Sequence, residues 1–226
     1  NLGAAEDGYF ADGMTDEVRS NLSALSGLTV IASVSSGQYR GTTKPPEQIA
    51  KELGVGWLLV AKARWQKTGS ASRIRVTPEL VEVGGGGAPT TRWQEAFDAD
   101  LSDVFKVQGE IAANVARALN VVLSGSERGN LEARPTSNLA AWDAYLKGME
   151  ILERDQILAS RPAVAKFEQA TALDPTFAHA WARSSLGHSF LFAFSGSSPE
   201  EGEEARRAAE RAFELAPNLP LSSMAL

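Results

Sequence analysis

Three groups of residues in this chain could assemble chemistry: two histidines, two acidic clusters and a run of glycines. His179 and His188 stand nine residues apart on one expected helix. Metal-binding pairs on a helix sit at i and i+4 so that both imidazoles share a face, so a structural role is expected for both histidines. Asp12, Asp16 and Glu17 form one acidic group, and Asp98, Asp100 and Asp103 another. General acid–base pairs need a cleft and a shifted pKa, whereas carboxylates at the start of a helix are explained by its dipole. That second role is expected here. The glycines at 84–87 lack the Lys-Ser/Thr and the helix that complete a phosphate-cradling loop, so they read as a hairpin turn. No Gly-x-Ser-x-Gly elbow occurs, and with no cysteine there is no thiolate nucleophile, disulfide or cysteine-bound zinc. No catalytic, cofactor or metal site is expected.

Composition narrows the class further. A chain of 226 residues with 43% hydrophobic content is an ordinary globular length of one or two domains. The net charge of -6 divides evenly, -3 on residues 1–133 and -3 on 134–226. With no basic half, nucleic-acid binding is not expected. Trp57, Trp65 and Trp93 fall on expected strands and read as core or cross-strand residues rather than base-stacking platforms. The longest apolar run, 55–61, is far short of the roughly 20 residues that span a bilayer, so no membrane contact is expected within this segment.

The elements that would position these residues come in two styles. Asp12 or Thr15 can cap a first helix carrying Val18, Leu22 and Leu25 and ended by Gly27. Residues 28–32 are short, β-branched and flanked by turn residues, which predicts a buried strand. Pro45 and Pro46 open a second helix that closes at Gly54. Residues 56–66 and 72–83 then read as strands joined by a turn at 67–70, and 90–97 as another. Pro78 donates no ladder hydrogen bond, which predicts an edge or a bulge there. Val104, Val107, Ile111, Val115 and Leu119 share one face of a helix predicted over 101–123.

The carboxy-terminal third carries one pattern twice. Ala163, Phe167, Ala170 and Pro175 are followed, 42 residues on, by Ala205, Ala209, Ala212 and Pro217. Small residues on a helix face admit a close neighbour, and the prolines stop each helix. This resembles the second helix of a tetratricopeptide repeat, whose period is about 34 residues. The surplus is expected between 190 and 198, as a longer first helix of the second unit rather than an exposed Leu191-Phe-Ala-Phe patch. Ser198-Pro-Glu-Glu predicts a capping box for the last helix.

The segments YFADGMTDEV (9–18), LSGLTVIA (25–32), IAKELGV (49–55) and DLSDVFKVQ (100–108) resemble, in order and spacing, the TolB amino-terminal-like (FlgO-like) domain over residues 1–125. In bacterial signalling proteins that domain is commonly followed by tetratricopeptide repeats, as in receptor Ser/Thr kinases, class III adenylate cyclases and CadC-like regulators. The resemblance implies an α/β (α+β) domain with helices on a mixed sheet, a linker at 126–137, and an all-α helical-hairpin array at 138–226. Its units would be 138–175 and 176–217, with the start of a third.

The family's first strand would lie upstream of Asn1, and the chain is expected to be part of a longer protein. Its absence would leave an open sheet edge. The implied function is a non-catalytic regulatory and protein-interaction segment, with any kinase, cyclase or DNA-binding domain upstream. The partner would be a protein, a peptide or another copy of the chain, in a groove lined by Tyr145, Met149, Glu153, His179 and Ser189. The alternative is a small-ligand sensor acting through the α/β domain; a hydrolase is disfavoured. The compartment, cytoplasmic or periplasmic, would follow from an upstream transmembrane helix.

Overall fold

In the computed structural model, described over residues 8–66, 73–84, 87–155, 161–194 and 198–217, the chain divides into two compact units, Asn1–Ala133 and Arg134–Leu226. It is an α+β fold followed by a helical array.

In the amino-terminal unit, β2 (Arg73–Glu82) is the central strand. It is antiparallel to β1 (Trp57–Gln66) on one side, and to β3 (Thr90–Gln94) and β4 (Phe97–Asp100) on the other. All described pairings are antiparallel, where a mixed sheet is expected. The strand expected over 90–97 is broken at Glu95 and Ala96, opposite Thr77 and Pro78. Pro78 therefore lies neither at an edge nor at the bulge, which falls between Leu80 and Val81. Its partner strand is interrupted instead, where Pro78 offers no N–H, and Glu95 N–H still donates to the Pro78 carbonyl at 3.4 Å. The turn predicted at 67–70 lies outside the described residues, as do Gly85 and Gly86.

One face of the sheet buries Ala63, Ile74, Val76 and Leu80. Against it lie α1 (Gly8–Ser23) and α4 (Val104–Ala118). α1 supplies Phe10, Met14, Val18 and Leu22 at steps of four, and α4 supplies Val104, Val107, Ile111 and Val115. Each such side chain contributes about 1.5–3 kcal/mol by leaving water. Phe10 packs on Trp65 with ring centroids 4.5 Å apart.

Several expectations give way here. α1 is already helical at Gly8, so Asp12 and Thr15 lie inside it rather than capping it. Asp12 pairs with Arg40 at 2.9 Å, and Asp16 with Arg19 at 3.4 Å. Asp98 and Asp100 lie on β4 facing Arg75 and Arg73, and Asp103 precedes α4 without a side-chain capping bond. Residues 28–32 form no strand, because no described strand offers them a ladder; α2 (Ser33–Gly37) follows. α3 (Pro46–Leu53) ends at left-handed Gly54, as expected. α4 stops short of 123, at Asn120 with φ 57°, a conformation that asparagine tolerates.

The stretch expected as a linker contains α5 (Gly125–Glu132). Ser124 and Glu127 form a complete capping box there, and Glu127 also accepts from Ser26 N–H and Oγ at 2.9 and 3.0 Å. A Cβ at Gly109 of α4 would collide with the Leu131 carbonyl, so only glycine lets α5 lie this close.

The described residues of the second unit form four helices, each packed on the next: α6 (Leu139–Asp155), α7 (Arg161–Leu173), α8 (Ala178–Phe194) and α9 (Pro199–Leu215). Its core is aromatic. Trp142 stacks on Tyr145 at 5.5 Å, and Tyr145 meets Phe167 at 5.8 Å and Phe177 at 5.1 Å. A Cβ at Gly148 would stand 2.6 Å from the Phe167 ring, and one at Gly187 2.5 Å from Val164 Cγ2, so both sides of α7 are approached through glycine.

α6 and α8 correspond at an offset of 39 and are each 17 residues long. α9 has 17 described residues against 13 in α7, and residues 156–160 and 195–197, on which the expected longer first helix of the second unit turns, lie outside the described residues. The Leu191-Phe-Ala-Phe segment is helical, yet it still exposes Phe194.

Candidate interaction surface of the helical unit

The residues proposed from sequence to line a groove occupy α6 and α8. Asn138 starts α6 by accepting from Ala140 and Ala141 N–H at 3.0 and 3.2 Å, while its Nδ2 donates to the Leu173 carbonyl at 2.8 Å. Asp174 ties the next junction, accepting from Thr136 Oγ1 and from Thr176 N–H at 2.9 Å and Oγ1 at 2.6 Å. Burial raises the Asp174 pKa, but the hydrogen bonds from Thr136 and Thr176 outweigh it and hold the carboxyl below its usual range.

On that frame the five candidates separate. Tyr145 is 4% exposed and belongs to the aromatic core, which removes it as a groove contact. Met149 is half-buried and Ser189 exposed. Glu153 lies on α6, with its side chain outside the described residues. His179 is half-buried, with its ring 6.0 Å from that of Phe177. Burial, aided by the Arg183 charge, lowers its pKa to about 4, so the imidazole is neutral at pH 7. Phe177 touches both Tyr145 and His179, and so joins one α6 candidate to one α8 candidate.

His188 sits in a denser arrangement than sequence spacing suggested. Its Nδ1 lies 2.6 Å from a Glu201 oxygen and its Nε2 3.2 Å from Glu168, while Arg161 Nη1 donates to Glu201 at 2.6 Å. The hydrogen bond from His188 lowers the Glu201 pKa; burial opposes it, and Arg161 adds to the lowering. A neutral imidazole can donate to only one of the two carboxylates, so full pairing requires the imidazolium. With both ring nitrogens occupied, His188 clasps α7, α8 and α9 and has none open for a metal or a substrate. Among the described residues no group of three His, Asp or Glu could hold a metal ion.

Glu201 lies in the first turn of α9, and Ser198-Pro-Glu-Glu does not close as the expected capping box: Glu201 is held by His188, and the Ser198 hydroxyl donates to Glu200 and makes no capping bond. The outer face of α9 is laced with ion pairs, among them Arg206 with Glu203 at 2.9 Å and with Glu210 at 2.7 Å. Phe194 is 76% exposed at the end of α8, its ring stacked on Phe190 at 6.1 Å. No described helix is long and apolar enough to cross a membrane.

No protein-family model matches the chain. It is 31% identical over 214 residues to a protein of Rhizobium meliloti (strain 1021) named "Putative adenylate cyclase 3", a match that covers 94% of this chain. The chain spans 35% of that relative's length.

Proposed function

We propose that this chain is a non-catalytic regulatory segment of a bacterial signalling protein, and that its helical unit holds a protein partner or a second copy. The observation that carries the reading is the repeated hairpin. Two successive helix pairs use a glycine on the first helix and an alanine stripe on the second, as tetratricopeptide repeats do. The match to about a third of a longer protein named as a putative adenylate cyclase supports a place in a signalling protein. The TolB-like identity of the amino-terminal unit belongs to the same proposal.

The chain alone, given ATP and a divalent cation, is expected to form no cyclic AMP; turnover would overturn the non-catalytic reading. Sedimentation equilibrium tests association, with Met149→Glu and Ser189→Arg placing charge on α6 and α8. Self-association that both variants abolish supports the surface, and self-association that neither changes overturns it. A second reading, a small-ligand sensor in the amino-terminal unit, is favoured by one observation: the cationic open face of its sheet.

A further inference from the structure

Strands alternate, so the face of the sheet turned away from α1 and α4 carries the residues between the buried ones. On β1 these include Lys62 and Arg64, and on β2 Arg73, Arg75 and Thr77, all outside the core. The register sets Arg64 opposite Arg75 and Lys62 opposite Thr77. Like charges directly opposed on neighbouring strands are destabilising, so folding gains nothing from this arrangement.

Only half of these cations are answered by carboxylates. Arg75 has Asp98 at 3.4 Å and Arg73 has Asp100 at 3.8 Å, both exposed pairs of small worth. Lys62 and Arg64 have neither an ion pair nor a hydrogen bond among the described residues. On this face lies a half-open depression of about 360 Å³ lined by Val60, Lys62, Arg64, Arg75, Thr77 and Gln94. Glu79 closes one end, its carboxylate accepting from Thr91 Oγ1. That volume falls in the range of small-molecule sites, roughly 300–1,000 Å³.

We propose that this depression, with Arg64 and Arg75 facing each other across β1 and β2, binds a small di- or triphosphate ligand. The inference rests on the small-ligand reading of the amino-terminal unit and gives it a place and a chemistry. Opposed residues of an antiparallel pair lie about 5 Å apart at Cα, and Lys62 stands about 7 Å along β1 from Arg64. Two guanidinium forks and an ammonium thus line one side of a depression within reach of two or three phosphoryl groups. Guanidinium matches phosphate oxygens in bidentate fashion, and the Thr77 hydroxyl and Gln94 amide supply neutral donors. A ligand of this charge removes the repulsion that the register builds in.

Titration calorimetry at low ionic strength is the test, with sodium triphosphate, ATP and a polyglutamate peptide as separate probes. Triphosphate is expected to bind one to one, and Arg64→Ala and Lys62→Ala each to weaken it about tenfold or more. Far-UV circular dichroism should match wild type, since both side chains are exposed. ATP binding with the triphosphate affinity supports the phosphate site, and tighter ATP binding adds a base or sugar contact. No heat from triphosphate, or heat unchanged by Arg64→Ala, overturns the proposal. Preference for polyglutamate does the same and makes the face a docking surface. Binding of an uncharged metabolite alone would sink this site while leaving the sensor reading standing.

Discussion

Glu201 accepts from His188 and Arg161 at once, which makes its ionised form part of the packing between α7, α8 and α9. Its pKa in the folded chain is held below the ordinary carboxylate value, chiefly by the His188 hydrogen bond. As pH falls the unfolded chain takes up this proton first. The carboxylate's contribution is therefore complete above the usual glutamate range and lost as pH drops through the depressed value. Glu201→Gln should cost about 1–3 kcal/mol near neutrality, because His188 and Arg161 lose a charged acceptor. Urea unfolding from about pH 7 to about pH 3 should show the gap between variant and wild type narrowing in acid; parallel curves would refute the linkage. Sequence spacing made the metal reading of His179 and His188 untenable and made both structural. It gave no access to Glu168 and Glu201, 20 and 13 residues from His188 on other helices, which only packing brings to its ring. Tyr145 was misplaced for the related reason that an aromatic on a repeat helix serves core and groove equally well in sequence.

At the scale of elements, Ser124-x-x-Glu127 and Ser198-x-x-Glu201 carry the same local signal, and the structure uses only the first as a capping box. Ser124 and Glu127 cap each other, whereas Ser198 makes no capping bond. Ser124→Ala is expected to destabilise by about 1 kcal/mol and Ser198→Ala by less than about 0.5 kcal/mol. Thermal melts of the two variants side by side check this, and an equal loss would show that local sequence, not tertiary competition for the glutamate, sets the cap. Helix existence was legible throughout α1, α3, α4 and α6 to α9, because apolar steps of three and four are dense there. Boundaries failed where a competing local signal sat inside a helix, as Asp12 and Thr15 do in α1. The strand expected at 28–32 failed because a β-branched run needs a neighbour, and that neighbour cannot be read from the run itself. The repeat offset of 42 revealed an insertion, but the second helices alone could not show that the first helices correspond at 39.

For the whole molecule the consequential fact is that two cores form in two units, each with its own glycine-dependent close approach. Evenly divided net charge concealed the cations on the open sheet face, because only the register gathers Lys62, Arg64, Arg73 and Arg75 onto one side, where Asp98 and Asp100 answer two of them. The two glycines permit a test of how far the units unfold independently. Gly109→Ala drives a methyl into the Leu131 backbone, which cannot move without lifting α5, at a cost of about 3 kcal/mol. Gly148→Ala drives one into the ring of Phe167, which is 1% exposed and wedged against Tyr145. Overpacking of about 2–3 kcal/mol there exceeds the gain of about 1 kcal/mol in helix propensity, for a net loss. If the units unfold separately, calorimetry shows two transitions: Gly109→Ala lowers one and Gly148→Ala the other. Two substitutions lowering a single transition together would instead make the chain one cooperative body. In that case a ligand on the sheet face would stabilise the helical unit against unfolding by the same free energy.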